Sequence, residues 1–130
     1  MSRPVHFEIH VDDPERAMDF YQIVLGWSFE QFGDAEYWLI KTGEKGTNGI
    51  NGGMLKRKGP ALDPEARPVL TGFICTMQVG DLDTILHAVT NAGGRIVKPR
   101  HAIPGVGWLA YARDTEGNIF GLTQPDPKAA

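Results

Sequence analysis

The sequence predicts an α+β fold built from two βαβββ modules. Three observations carry that prediction. Residues 5–11 alternate strictly between apolar and polar side chains, a capped amphipathic helix follows at once, and the same strand–helix order begins again near residue 73. The chain has 130 residues, a length that suits one ordinary domain with a core of its own. Its 16 glycines exceed the usual share of about 7%, which implies many tight turns and therefore many strands.

In VHFEIHV, Val5, Phe7, Ile9 and Val11 face one way and His6, Glu8 and His10 the other, as in a strand with one buried and one open face. DDPERAMDFYQIVLGW is a helix. Asp13 caps it, Pro14 suits its first position, and the residue before a proline is held extended, as a cap must be. Ala17, Phe20, Tyr21, Val24 and Leu25 form its apolar stripe and Gly26 stops it. The strand-like runs SFEQF (28–32), EYWLIK (36–41) and INGGML (50–55) complete the first module, residues 4–56.

The second module, residues 70–124, repeats this order. FICTMQV (73–79) is a strand with Phe73, Cys75, Met77 and Val79 on one face and Ile74, Thr76 and Gln78 on the other. The next helix is capped by Asp81, carries its stripe at Leu82, Ile85, Leu86 and Val89, and stops at Gly93 and Gly94. RIVKP, GWLAYAR and NIFGLTQ supply three more strands, with DTEGN (114–118) as a hairpin turn that places Gly117 in the left-handed region. Superposing Val11 on Val79 also aligns Asp13 with Asp81, Tyr21 with Val89 and Gly26 with Gly94; at slightly larger offsets Trp38 meets Trp108 and Gly52 meets Gly121. Cap, stripe and stop agree in one register, as a duplication requires. RKGPALDPEARPV (57–69) is the connector, and the tail PDPKAA reads as frayed.

Composition narrows the function classes. With one cysteine, Cys75, the chain forms no internal disulfide and no thiolate metal cluster, which favours a reducing compartment. A net charge of −3 with scattered basic residues gives no footprint for nucleic acid. No run approaches the roughly 18 apolar residues of a membrane span, so the expectation is a soluble, cytoplasmic protein.

The two modules, with HxxxxxxDPxxAxxFYxxxLGW in the first and PGVGWxAYxxDxEGNIFGLxQ near the end, resemble the vicinal oxygen chelate superfamily over residues 4–124. That superfamily includes glyoxalase I, extradiol dioxygenases, epimerases and the fosfomycin and bleomycin resistance proteins. The resemblance implies a single domain over 1–130 in which the modules curl into a cupped mixed sheet, helices outside and the site in the concavity. It also implies a homodimer. Its usual metal ligands come from the first and last strands of each module. Carried onto this chain, those positions fall on His6, Ile74, Gly52 or Gly53, and Gly121. Isoleucine and glycine offer no side-chain donor, so only His6 remains, and no cofactor is expected beyond a divalent metal at a rearranged site.

His6, Glu8 and His10 raise three alternatives. Along a strand, residues two apart lie about 6.8 Å from one another and residues four apart about 13 Å. A neighbouring pair with donors from another strand could share an ion, whereas the trio alone could not. The trio could instead floor a polar ligand pocket. Or Glu8 or His10 could act as a general base beside an imidazole. Thr76 and Gln78 extend the same face in the second module, and Trp38 and Trp108 stand either as pocket walls for a ligand or as halves of a core. Trp27, directly after the helix stop, reads as packing. His101 reads as a loop residue, His87 as a surface residue and Cys75 as an inert core thiol.

Three function classes follow. The leading one is a small-molecule-binding protein like the bleomycin-type resistance proteins, whose acidic Glu8 floor would suit an amine-bearing or aromatic ligand. The others are a metal-dependent lyase, epimerase or dioxygenase and a metal-free enzyme that uses the His6/Glu8/His10 face.

Overall fold

The computed structural model describes residues 1–63 and 72–130, so residues 64–69 of the expected connector lie outside it. Two compact units emerge, Met1–Ala61 and Leu62–Ala130.

The first unit contains β1 (Phe7–Val11), α1 (Pro14–Leu25), β2 (Ser28–Gln31), β3 (Tyr37–Lys41) and β4 (Gly52–Lys56). Their sheet runs β1-β4-β3-β2, with β1 and β4 parallel and the other pairs antiparallel. A parallel neighbour needs a crossover, and here α1, β2 and β3 form it. The helix begins and ends where the capping chemistry dictates. The Asp13 carboxylate accepts from the Arg16 amide at 3.2 Å, and Gly26 turns left-handed at φ 72° while its amide reaches the Gln22 carbonyl. Alternation in β1 leaves Ile9 and Val11 buried and His6, Glu8 and His10 exposed. The buried face carries Met54 and Ile40 as well, with Ala17, Phe20, Tyr21 and Val24 of α1. Trp27 is in this core: its ring stacks on Tyr21 at 4.9 Å and 8° and meets Phe7 at 5.5 Å. Gly52 lies beside Phe7, where a Cβ would come within 2.7 Å of the ring, so only glycine lets that ring lie flat on the strand.

The second unit contains β5 (Thr76–Gln78), α2 (Leu82–Asn91), β6 (Arg95–Ile103), β7 (Gly107–Arg113) and β8 (Ile119–Pro125), ordered β5-β8-β7-β6 with β5 and β8 parallel. The topology of the first unit is thereby repeated. Asp81 caps α2 through the Thr84 amide, and the Leu82 amide donates to the Gln124 side chain at 2.9 Å. Leu82, Val89, Ala110, Ala112, Phe120 and Leu122 form the core. Gly117 has φ 90° in the β7–β8 turn, as expected, and the Asp114 carboxylate gathers the amides of Glu116 and Asn118 at 2.8 Å.

Five expectations are corrected here. β5 covers only 76–78 of the expected 73–79. In the register that pairs Thr76 with Gly121, Phe73 would face Asn118, whose amide the turn already uses. Phe73 and Cys75 are consequently exposed, and Cys75 is not a core thiol. β6 runs to Ile103 instead of stopping near Pro99, because register shifts on either side of Lys98 let the ladder with β7 continue past a proline that has no amide to give. His101 therefore sits half-buried in a strand opposite Leu109. The tail is docked as well. Asp126 accepts from the Lys128 amide at 2.8 Å and from the Trp108 indole at 3.1 Å, the Gly105 amide donates to the Ala129 carbonyl at 3.0 Å, and Ala129 is buried.

Candidate functional site

The open face of the first sheet carries the polar side chains. Residues paired across strands share a face, so Glu8, Gly53, Leu39 and Glu30 form one cross-strand row, and His10, Leu55 and Tyr37 lie on the same face two residues further along. Tyr37 joins what the sequence placed apart. Its hydroxyl donates to Glu8 Oε2 at 3.2 Å and stands 3.1 Å from His6 Nε2, whereas His6 and Glu8 alone are 4.0 Å apart. With the hydroxyl proton directed to Glu8, the oxygen accepts from His6, which places the imidazole proton on Nε2. Desolvation, and then the adjacent Glu8 carboxylate, raise the Tyr37 pKa above its ordinary 10.0.

Gly53 makes this arrangement possible. Tyr37 pairs with Leu55, and its ring leans along β4 over the diagonal neighbour, Gly53. A Cβ at position 53 would overlap the Tyr37 hydroxyl. In the second unit Gly121 pairs with Thr76, and a Cβ there would stand 2.5 Å from the Thr76 hydroxyl oxygen. The partner of Glu8 is thus Gly53 and the partner of Thr76 is Gly121, so Gly53, rather than Gly52, is the counterpart of Gly121.

A groove of about 500 Å³ opens beside His6 at the Lys41 end of this face, with Ser28, Glu30, Leu39 and Asn51 also along it. Of the residues singled out in the sequence, His6 and Glu8 come together through Tyr37, and His10 lies one step further along the same strand face, opposite Leu55. Trp38 pairs with Met54 on the face that α1 covers, not on the open one. Trp108 shares a face of β7 with the buried Ala110 and Ala112. Its indole bonds to Asp126, and the Arg100 guanidinium lies 4.1 Å above its ring while pairing with Asp83 of α2. Thr76 and Gln78 occupy the opposite face of the second sheet and are exposed. The expected Trp38–Trp108 match is off by two residues, since Met54 and Leu122 correspond and the partner of Leu122 is Ala110. Sequence reasoning missed Tyr37, although alternation in YWLIK already placed it with Leu39 and Lys41, away from the core.

The residues at the expected ligand positions do not fit a metal set. His6 Nε2 is engaged with Tyr37, position 74 is isoleucine, and Gly53 and Gly121 carry no donor. Among the described residues no group of three or more His, Cys, Asp or Glu side chains is placed to hold an ion.

Residues 3–43 match the family model described as bleomycin resistance protein-like N-terminal. CFP32 of Mycobacterium bovis, provisionally named a glyoxylase, is 27% identical over 124 residues, which cover 93% of this chain and 43% of that protein. The chain therefore spans less than half the length of the curated relatives it matches. FosX, a fosfomycin resistance protein of Listeria monocytogenes, superposes with a TM-score of 0.70 at 15% identity, over 97% of this chain and 95% of its own. By that N-terminal match and by its fold, the chain is similar to the glyoxalase/bleomycin resistance/dioxygenase proteins. TioX of Micromonospora sp. ML1 has the same fold, with a TM-score of 0.67 at 22% identity over 96% of this chain and all of its own. FosX has also been crystallised, as a mutant, with Mn(II) and a dihydroxypropylphosphonic acid. The two four-stranded mixed sheets with their two helices are the glyoxalase/bleomycin resistance/dioxygenase fold. No helix among the described residues is long and apolar enough to cross a membrane.

Proposed function

We propose that this chain is a member of the vicinal oxygen chelate superfamily and binds a small organic molecule on the open face of its first module without the superfamily's usual metal. The observation that carries the reading is the Tyr37 hydroxyl, which fills the space above Gly53 and engages His6, the one side chain at an expected ligand position that could ligate. A glycine there removes a donor, and the phenol over it leaves no room for a replacement. The groove beside His6 supplies the concave space a ligand needs, with a few polar groups set around an apolar side chain, Leu39. In this reading residues 4–56 and 70–124 form one domain, joined by 57–69, and two copies associate in the cytoplasm.

The test is metal uptake by tag-free protein purified without chelator and then titrated calorimetrically with Zn²⁺, Ni²⁺, Mn²⁺ and Fe²⁺. The expected result is no stoichiometric binding by the wild type or by His6→Ala. Near-stoichiometric uptake lost in His6→Ala would return the metal-dependent lyase, epimerase or dioxygenase to first place.

One observation favours a second reading. An imidazole, a phenol and a carboxylate bonded in series form a path along which a proton can move, as a metal-free acid–base enzyme requires. Glu8 would take the proton at its end of the path, and His10 would stand further along the face. A Glu8→Gln protein that keeps full turnover of an identified substrate would exclude that role.

A further inference from the structure

We propose that the groove at the Lys41 end of the first sheet binds the anionic end, a carboxylate or a phosphonate, of a small organic ligand. This rests on the metal-free binding reading and reverses the amine-bearing ligand that the acidic strand face first suggested.

The argument starts from Asn51. Its side-chain oxygen accepts from the Thr42 amide at 2.9 Å and lies 3.2 Å from the Thr42 hydroxyl. A backbone N–H can only donate, so this contact fixes which end of the carboxamide is oxygen. The NH₂ is the end left to a ligand, and Asn51 lines the groove. The ladder then sets the neighbours. Ile40 pairs with Gly52 and Phe7 with Gly52, so one residue further along Lys41, Asn51 and His6 fall in one cross-strand row, and Ser28 pairs with Lys41. All four line the groove. The Ser28 hydroxyl has no hydrogen-bond partner among the described residues. Lys41 reaches Glu44 at 3.3 Å, but both side chains are more than half exposed, and such a pair is readily exchanged for another partner.

Three donors of different kinds therefore converge on one row: an ammonium, a carboxamide NH₂ and a hydroxyl. An anion satisfies all of them at once, whereas a cation would meet Lys41 head on. Two carboxylates border the groove, Glu44 on Lys41 and Glu30 along its wall, but neither belongs to the donor row itself. Glu8 accepts from Tyr37, and Glu30 belongs to the next row of the same face beside Leu39, about 6.8 Å along the strand. A ligand with its anion on the donor row would lay its apolar body over Leu39.

The experiment titrates phenylphosphonate, benzoate and benzylamine into the ¹⁵N-labelled full chain, followed by amide and Asn51 side-chain resonances. The three probes share a ring and differ in charge, and the two anions separate a tetrahedral from a planar head group. Saturable shifts at Asn51, Lys41 and Ser28 are expected with one or both anions. Asn51→Asp keeps the oxygen that Thr42 needs and replaces the NH₂ by charge, and it should weaken the anion more than tenfold; Lys41→Gln should cost about tenfold and Lys41→Arg much less. Wild-type-like spectra establish that the variants are folded. Tighter binding of benzylamine in the groove would overturn the anion assignment and leave the metal-free binder standing. Anion shifts outside the groove, no anion shifts at all, or an unchanged affinity in Asn51→Asp would likewise overturn it. Stoichiometric metal uptake would instead overturn the binding reading, with the anion affinity still measurable in chelator.

Discussion

The Tyr37 hydroxyl lies in the space that a Cβ on Gly53 would fill. Gly53→Ala should therefore push the ring off β4 and break its bonds to His6 and Glu8. The expected cost is about 1–3 kcal/mol, as for other overpacked sites. In a Tyr37→Ala background the same change should cost much less, and a double-mutant cycle in urea measures the difference. Equal costs in both backgrounds would mean that the ring and position 53 do not compete for space.

Tyr37 should also show itself in a spectrophotometric titration. Its hydroxyl should ionise above 10.0, because burial and the neighbouring carboxylate both oppose the phenolate. Glu8→Gln removes the second cause and should move that step down, leaving the part due to desolvation. A titration that Glu8→Gln does not alter would separate the two side chains in solution.

Trp27 is the keystone of the first core, stacked on Tyr21 and touching Phe7 while only 6% exposed. Trp27→Ala should destabilise the protein by about 3–5 kcal/mol, seen as a lower denaturation midpoint with an unchanged slope. A loss below about 1 kcal/mol would show that the neighbours close the cavity.

Acid should loosen the second unit through two aspartates. Asp81 is held below 3.8 first by the Thr84 amide, and Asp126 first by the Lys128 amide and then by the Trp108 indole. A carboxyl with a depressed folded pKa contributes stability that is present above the unfolded value and lost as pH falls through the folded one. Melting temperature should thus decline as pH drops below 3.8, and the decline should be shallower in Asp126→Asn. A parallel decline in that variant would place the acid sensitivity elsewhere.

The parts of the fold legible in the sequence were those set by local chemistry. Asp13, Pro14 and Gly26 bounded the first helix, and alternation in β1 separated Ile9 and Val11 from His6, Glu8 and His10. What escaped depended on partners distant in the chain. β5 is short because its neighbour begins with a turn, and β6 is long because β7 accommodates a bulge at a proline. The candidate site was half legible for the same reason. His6 and Glu8 were visible by their spacing, but the role of Tyr37 comes from a ring leaning onto a strand whose register no local pattern specifies. Trp38 and Trp108 read equally well as walls or core until strand pairing fixed their faces.

The glycine–hydroxyl contact occurs twice, as Gly53 with Tyr37 and as Gly121 with Thr76. Each ties two positions into one unit. A side chain enters position 53 only if the phenol moves aside, and one enters position 121 only if the Thr76 hydroxyl does, so the residue tolerated at either glycine is decided by its neighbour on the next strand. Substitutions at these four positions should consequently be tolerated in pairs that are not tolerated singly.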